Sequence, residues 1–475
     1  MKKIISFILF LSVAFSLKAQ SSDFVCRIGF TFEISKSSNW GKNLPVVTTV
    51  VPYSSAETAG LKPSDIITAI NGVNVLDVDT EEIPQLLNRE GKQDIILTVS
   101  NLQQPEREIL VKKDCKKANS ITEDQLATAF AMYSIESTNE RLFTCPFKYS
   151  TMENVNFMQF KTYAFTIPDE NNQKLESVIN DCIEKELSQK GMLQDDEDPD
   201  LLIQTFYFFD KNPNYKGMNK IQIQKDPVYR YNTLTGKMQE YPFLKISTAE
   251  AEAEYLLQLG IRLIDRRSSN RENIQIIWEC EANELLSESF KLEEYARTFI
   301  PLMCMQYPYV KYKNNVQYKI SYRTYNYTGI SYDINKLNTI VNVDQNSPAY
   351  TAGIRNQDVI EKIENHKMDH TPEEFTQGYK SFITNTMQYR NPKTMFTNAD
   401  GFKRCMYWDI FSFPKIADAI KKKEYLAAFS YLYFFAPYIN PTGNNTCNFN
   451  IRRGDEKFNV NIRPAIRSEV TLQVN

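Results

Sequence analysis

Few residues in this 475-residue chain have the types and spacing that catalysis requires. The chain's two histidines, His366 and His370, have the i, i+4 spacing of a metal pair on a helix. Because Thr371-Pro372 follows directly, we place them in a turn and expect surface residues. The sequence lacks the H-E-x-x-H and G-x-S-x-G motifs and any Asp-Thr-Gly or Asp-Ser-Gly triplet. We therefore expect no enzyme, no cofactor and no metal site.

Acidic residues and cysteines are the other candidates for chemistry. Residues 195–198, Asp-Asp-Glu-Asp, have the ligand type for calcium, but a solvated loop is the preferred interpretation. The eight cysteines include no C-x-x-C pair, which argues against a zinc ribbon and a thioredoxin-like site.

The elements that must position any site are set by an internal repeat. Residues 50–75 and 343–368 share alanines, a glycine, an aspartate and two isoleucines at an offset of 293. In both copies a short helix must end with φ > 0, at Gly60 and Gly353, and an apolar strand follows. Asn71-Gly72 predicts a hairpin turn, and Asn365 can take the left-handed conformation in the second copy.

The repeat resembles the core of bacterial PDZ domains, which reads S-P-A-x-x-A-G-L-x-x-G-D-x-I-x-x-I-N-G. The resemblance covers about 24–115 and, with an interruption, about 320–466. It implies two partly open β-barrels with short helices, and in each an apolar-Gly-apolar loop whose successive N–H groups bind a peptide carboxylate. The residues expected in the first groove are Arg27, Ile28, Gly29, Phe30, Ile83 and Leu86, and those in a weaker second groove are Thr328, Gly329, Ile330 and Phe375.

Two cysteine pairs follow from this assignment. Cys26 precedes the first strand of the first PDZ-like domain and Cys115 follows its last, so a bridge and a pair of small buried thiols are equally good readings. Cys405 lies within an insertion in the second domain and Cys447 lies at its exit. They are candidates for a disulfide that would fix the insertion in place.

Between the two copies, residues 150–310 resemble a domain of unknown function from bacterial envelope lipoproteins. The shared pieces include Phe160–Phe165, Leu263–Asp265 and Ile277–Glu279. The resemblance implies an α/β sandwich of a sheet and two helices, with no chemistry to carry over. Residues 116–149 are predicted to be a helical connector, in which Ser120 and Glu123 form a capping box.

The N-terminus predicts export. Lys2-Lys3, an apolar run over 4–17 and a small residue at Ala19 are typical of a signal peptide, residues 1–19, whose apolar run is too short for a membrane anchor. Its removal takes three lysines and no acids, so the net charge changes from −3 to −6. An acidic exported chain has no electrostatic reason to bind nucleic acid. We expect a periplasmic protein, or a secreted one, with no integral membrane segment in the mature chain.

An aromatic-rich insertion at 383–446 separates the groove helix of the second PDZ-like domain from its closing hairpin. We predict an extra helical pair that packs its apolar face on the protein and occludes the second groove.

The fold prediction is α+β: two PDZ-like domains flanking an α/β sandwich. The predicted function is a non-catalytic scaffold that binds C-termini or extended peptides of envelope proteins through the first groove. Two alternatives stay open, a structural protein whose PDZ-like folds pack internally and a regulatory partner of a separate envelope protease.

Overall fold

The computed structural model describes residues 24–475 except 88–93, 103–105, 126–139, 218–228, 241–249, 365, 370, 396–403, 405, 407–408, 421 and 423–445. The predicted signal peptide lies outside the described residues. Two compact units are present. The small unit contains the described residues of 24–27, 114–125 and 324–467, and the large unit those of 28–113, 140–323 and 468–475.

Strands and short helices alternate over residues 24–125. The elements, numbered along the chain, are β1 (Phe24–Arg27), β2 (Phe30–Ile34), β3 (Pro45–Val50), α1 (Ser55–Thr58), β4 (Ile66–Ile70), β5 (Val73–Asn74), a 3₁₀ turn (Val75–Asp77), α2 (Ile83–Leu87), β6 (Asp94–Ser100), β7 (Arg107–Lys112), β8 (Asp114–Lys117) and β9 (Ser120–Thr122).

Long strands and two longer helices make up the middle of the chain. These are β10 (Glu140–Thr151), β11 (Thr162–Phe165), α3 (Gln173–Gln189), β12 (Leu193–Gln194), β13 (Leu201–Lys211), β14 (Tyr229–Asn232), β15 (Lys237–Glu240), β16 (Tyr255–Asp265), β17 (Ile276–Leu286) and α4 (Leu292–Cys304), with 3₁₀ turns at Phe157–Gln159, Glu170–Asn172 and Glu250–Glu252.

The last part of the chain repeats the element order of the first. It comprises β18 (Asn314–Tyr327), β19 (Ile330–Asp333), β20 (Ile340–Val343), α5 (Pro348–Thr351), β21 (Val359–Ile363), β22 (His366–Lys367), α6 (Pro372–Thr386), α7 (Phe413–Ile420), β23 (Cys447–Arg453), β24 (Glu456–Ile462) and β25 (Ala465–Val474), with 3₁₀ turns at Met387–Tyr389, Pro392–Thr394 and Ile410–Ser412. None of the helices in the described ranges is long and apolar enough to cross a membrane.

In the large unit, two sheets lie against helices. The first has the order β2-β3-β4-β6-β7, with β5 beside β4. Alternation along β6, with Ile95, Leu97 and Val99 buried and Ile96 exposed, gives this sheet one core face. The second has the order β12-β11-β13-β16-β17-β10-β18-β25, and α3 and α4 bury their apolar faces in the same core.

In the small unit, β1 pairs with β8, β9 joins β19 and β20 in a three-stranded sheet, and β22-β21-β23-β24 form another sheet. Helix α7 contributes Ile416 and Ala419 to the core of this unit. This part of the predicted insertion therefore packs on the protein, whereas the rest of the predicted helical pair, residues 423–445, lies outside the described residues. The insertion starts later than predicted, because α6 continues to Thr386.

The predicted helical connector, 116–149, is wrong in three places, of which the first is residues 116–117, part of β8. Residues 120–122 form β9, and residues 140–149 belong to β10. A capping box does exist, but two residues later than expected: Gln125 N donates to Thr122 Oγ1 (3.3 Å) and Thr122 N donates to Gln125 Oε1 (2.9 Å). Thr122, rather than Ser120, thus caps the helical turn at 123–125. The remainder of the predicted helix lies outside the described residues.

The boundary predicted at 24–115 also differs from the structure. Residues 24–27 and 114–117 form the β1–β8 ribbon, which belongs to the small unit rather than to the first domain. Cys26 and Cys115 face each other in this ribbon and form a disulfide.

Candidate functional site

The first predicted carboxylate loop is built around Gly29. Gly29 has φ +77°, and its carbonyl oxygen accepts from Val51 N (2.8 Å) and Ser54 Oγ (3.3 Å). A Cβ at Gly29 would lie 2.6 Å from Ser54 Cβ, so glycine is required both by conformation and by space. Within the described residues, no acceptor meets the N–H groups of Ile28 and Gly29.

Strand β2 and helix α2 flank this loop. Phe30 is buried, and β2 pairs only with β3 among the described strands, so its other edge has no strand partner there. Ile83 is fully buried in the core, whereas Leu86 is half-buried. Of the two helix residues predicted to line the groove, only Leu86 therefore presents surface to a ligand.

Side chains of β2 and of the loop that follows it hold this domain to the eight-stranded sheet domain. The Glu33 carboxylate accepts from Tyr309 OH (2.8 Å) and pairs with Lys311 Nζ (2.7 Å). In the following loop, Asn39 Nδ2 donates to Met152 O (2.7 Å), and Asn39 Oδ1 accepts from Val155 N (3.1 Å). These contacts hold β2 in place without using the edge that a peptide would need.

Arg27 does not join the rest of the predicted site. It falls in the small unit, where its half-exposed guanidinium lies 3.5 Å from the Asp124 carboxylate. An exposed pair at this distance contributes little to stability.

The second predicted carboxylate loop, 327–330, has the same backbone design. Gly329 has φ +87°, and its carbonyl accepts from Asp344 N (2.8 Å) as that of Gly29 does from Val51 N. A Cβ at Gly329 would lie 2.2 Å from Ser347 Cβ.

Matching contacts continue beyond the two loops. Arg107 donates to the Asp65 carboxylate (2.8 Å) and the Gly60 carbonyl (3.0 Å). In the small unit, Arg453 donates to the Asp358 carboxylate (2.7 and 2.8 Å) and the Gly353 carbonyl (2.9 Å). Gly60 (φ +83°) and Gly353 (φ +86°) are left-handed as predicted. In the hairpin, Glu364 (φ +49°) takes the place of Asn71 (φ +52°), while Asn365 lies outside the described residues.

Unlike the first loop, the second loop is filled by Glu123. One carboxylate oxygen accepts from Thr328 N (2.8 Å) and Gly329 N (3.0 Å), and the other accepts from Thr328 Oγ1. Glu123 is 2% exposed. Burial raises the pKa of Glu123 to about 8, an increase that these hydrogen bonds reduce but do not cancel.

Sequence reasoning missed Glu123 as a site residue, because it assigned this carboxylate to a helix cap. The available signal was the second capping pattern, Thr122-Glu123-Asp124-Gln125, which places Glu123 at the first position of the helical turn.

Some predicted residues of the second groove are not described in full. Ile330 is buried at the start of β19, and position 375 lies on α6, but the Phe375 side chain is outside the described set. Cys405 and His370 are also outside it, so the Cys405–Cys447 pairing stays a prediction. Cys447 is buried, and burial raises its thiol pKa.

Other candidates for chemistry are held in structural contacts. In the acidic loop, Asp195 Oδ1 accepts from the backbone of Glu197 and Asp198, and Asp198 pairs with Arg266. Within the described residues there is no cluster of three or more metal-ligating side chains. Cys145 is fully buried, and burial raises its thiol pKa to about 12, which keeps it protonated and a poor nucleophile at neutral pH.

Comparisons with known proteins agree with the first copy of the repeat and with the middle domain. A family model described as a PDZ domain matches residues 46–100, and one described as a domain of unknown function (DUF4136) matches residues 148–309. These matches confirm that the chain contains a PDZ domain and a domain of this family of unknown function. No curated protein matches the chain.

Among solved structures, the chain is similar to the crystal structure of a PDZ domain protein from Parabacteroides distasonis ATCC 8503. The identity is 62%, the match covers 96% of this chain and 100% of that chain, and the TM-score is 0.83. The HtrA3 PDZ domain bound to a phage-derived ligand (FGRWV) matches at 17% identity over 20% of this chain and 88% of that chain, with a TM-score of 0.16. The PelC dodecamer from Paraburkholderia phytofirmans matches at 12% identity over 35% and 98%, with a TM-score of 0.15. The last two scores are too low to carry an argument.

Proposed function

The chain belongs to the PDZ-domain proteins, and on that premise we propose that it is a non-catalytic, exported binding protein whose first groove takes the C-termini of cell-envelope proteins. The peptide adds as a strand to β2, and its terminal carboxylate accepts from the N–H groups of Ile28 and Gly29. The side chain of its last residue packs on Leu86.

One observation carries this proposal. The loop at 28–30 presents N–H groups that no described acceptor meets, beside a strand edge that no described strand pairs. The N–H and C=O groups along a strand edge are a template for pairing with another chain, so this edge, next to the N–H groups of the loop and a half-buried leucine, is suited to an incoming chain end.

We also assign the second repeat copy in the small unit to a PDZ-like fold. The support is the recurrence of the element order and of individual hydrogen bonds: the Gly29 and Gly329 carbonyl contacts, and the Asp–Arg–Gly contacts at Asp65 and Asp358.

A peptide-selection experiment tests the binding function. The full chain is incubated with a pool of octapeptides of random sequence with free C-termini and with the same pool amidated, and bound peptides are quantified by mass spectrometry. We expect the free acids to be enriched at least about tenfold, because a charge-assisted hydrogen bond is stronger than a neutral one. Equal capture of both pools would contradict the proposal.

A pair of variants localises the binding. Leu86→Glu places a negative charge beside the expected carboxylate and should reduce capture at least about tenfold. Leu110→Glu makes the same change at a 49%-exposed residue on β7, at the other end of the sheet, and should leave capture within about twofold. Equal losses in both variants would show that the groove is not the site.

Two further measurements test the remaining parts of the proposal. Captured peptides and casein should stay intact after prolonged incubation, and cleavage that co-purifies with the protein over orthogonal columns would overturn the non-catalytic assignment. Fractionation of the native host should recover the chain in the periplasm, and recovery with cytoplasmic markers would overturn the exported location.

A further inference from the structure

We infer that residues 119–123 are a built-in ligand of the second PDZ-like groove, with the Glu123 side-chain carboxylate in the place of a peptide's C-terminal carboxylate. This inference does not depend on whether the first groove binds peptides, because every residue that carries it lies in the small unit.

The backbone of this segment is added to the domain as a strand. β9 pairs antiparallel with β19, with Thr122 opposite Ser331, Ile121 opposite Tyr332 and Ser120 opposite Asp333. One further hydrogen bond, from Ile334 N to Asn119 O (2.8 Å), extends the pairing. Antiparallel addition to the strand that follows the glycine loop is the geometry of peptide capture by β-augmentation.

The carboxylate end of this internal strand lies at the glycine loop. Glu123 follows the last paired residue, and its carboxylate takes the N–H groups of Thr328 and Gly329 together with the Thr328 hydroxyl. The Glu123 carboxylate is 2% exposed and accepts from three donors on two successive residues. The contact is therefore a buried binding interaction rather than a surface contact.

A bound peptide would end at the position of Glu123, whereas the chain continues beyond it. The capping box of Thr122 and Gln125 gives the chain its path. Thr122 closes the reciprocal bonds with Gln125, so the backbone turns into a helix directly after β9. The turn directs the main chain away while the Glu123 side chain reaches the loop. A side-chain carboxylate thus replaces a terminal one without a chain end.

The segment is also anchored at its start. The Cys26–Cys115 disulfide joins β8 to β1, and Lys116 Nζ pairs with Asp344, which in turn accepts from Tyr327 OH (2.9 Å) beside the loop. Tethering makes docking intramolecular, with an effective concentration on the order of millimolar, so weakly binding free peptides do not compete. The predicted occlusion of this groove is therefore assigned to the connector rather than to the insertion.

Amide hydrogen exchange on the full-length chain, with acetate as the carboxylate probe, tests the inference. Glu123→Ala removes the carboxylate, and we expect exchange in fragments covering 118–125 and 327–333 to accelerate by about 10- to 100-fold. Sodium acetate at 100 mM should restore protection in 327–333, and sodium chloride at equal ionic strength should not.

Asp455→Ala is the matched control, because it removes an exposed carboxylate of the small unit, at the turn between β23 and β24. It should leave exchange in 327–333 within about twofold of wild type. Wild-type exchange in Glu123→Ala, or restoration by chloride as effective as by acetate, would overturn the inference.

Glu123→Gln keeps the test decisive if the alanine variant does not fold. The amide retains the shape but cannot ionise. At pH 9, where the Glu123 carboxyl with its pKa of about 8 is charged, exchange in 327–333 should therefore be about fivefold faster than in wild type, and acetate should have no effect, since the place is filled. Exchange equal to wild type in this variant would likewise overturn the inference.

Discussion

The loops at 28–30 and 328–330 are built alike: each has a glycine with positive φ, a backbone N–H that donates to the glycine carbonyl, and a serine in the space that a Cβ would need. The two loops differ in what accepts from their own N–H groups. At the first loop no described acceptor is present, and at the second the Glu123 carboxylate accepts from two N–H groups and a hydroxyl. Backbone geometry therefore creates the capacity to bind a carboxylate in both places. Whether that capacity is available to a partner depends on a five-residue segment elsewhere in the chain.

The outer edges of β2 and β19 are used differently. The first domain is held through the side chains of Glu33 and Asn39, and no described strand pairs with the outer edge of β2. The equivalent edge of β19 is used to hold β9. On the proposed function, one copy of the repeat binds a ligand and the other holds the connector.

Removing the disulfide is expected to have the largest effect. The Cys26→Ser/Cys115→Ser double variant opens a bridge that spans 89 residues, and loop entropy predicts a loss of about 4 kcal/mol in the free energy of unfolding. Urea unfolding measures the loss, and peptide capture by the first groove under native conditions should be unchanged. Loss of capture together with the bridge would show that the two loops are not independent.

The glycine of the filled loop should be the next most sensitive position. Gly329→Ala combines positive φ with a Cβ 2.2 Å from Ser347 Cβ, so we expect a loss of about 2–3 kcal/mol. Gly353→Ala has nearly the same φ and nothing within 4 Å of its Cβ, so it should lose only about 1 kcal/mol. Chemical denaturation measures the loss of stability in both variants. Equal losses would show that the close approach to Ser347 does not contribute.

Burial of Glu123 predicts a pH dependence that the first loop lacks. Because burial raises the pKa of Glu123 to about 8, the folded state keeps a proton that the unfolded state releases above about pH 4.5. The stability of wild type relative to Glu123→Gln should therefore fall as pH rises from about 4.5 to about 8, by at most about 1.4 kcal/mol per pH unit.

The same denaturation series on wild type and on Glu123→Gln cancels the titration of shared groups that do not interact with residue 123. A stability difference that rises with pH over this interval would contradict the direction of the shift.

The smallest expected effect concerns the cap that directs Glu123. Thr122→Ala should cost about 1 kcal/mol and should accelerate exchange at Thr328 and Gly329. Thr371→Ala removes a similar capping box from α6, with Glu374, at a similar cost but should leave those two amides unchanged. Equal acceleration in both variants would mean that the cap at Thr122 has no directing role.

The parts of the fold that sequence reasoning predicted are those fixed by local signals. Gly60 and Gly353 have φ > 0 because only glycine adopts it cheaply at a helix end, and β16 matches the apolar run at Tyr255–Asp265. The first PDZ domain and the middle domain were also recognisable from their motifs.

The connector could not be predicted in this way. Both Ser120-x-x-Glu123 and Thr122-x-x-Gln125 fit a capping box, and the choice between them depends on β9 pairing with β19, more than 200 residues away in sequence. A three-residue strand has too few residues to show a period of its own. The role of Glu123 follows from that distant pairing, so its residue type alone did not reveal it.

Isothermal titration of the full-length wild-type chain with a free-acid peptide from the selection tests the contrast between the loops most directly. An open first loop and a filled second loop predict one peptide per chain, lost in Leu86→Glu, retained in Leu110→Glu and absent with the amidated peptide. Two peptides per chain, or one that persists in Leu86→Glu, would contradict the account.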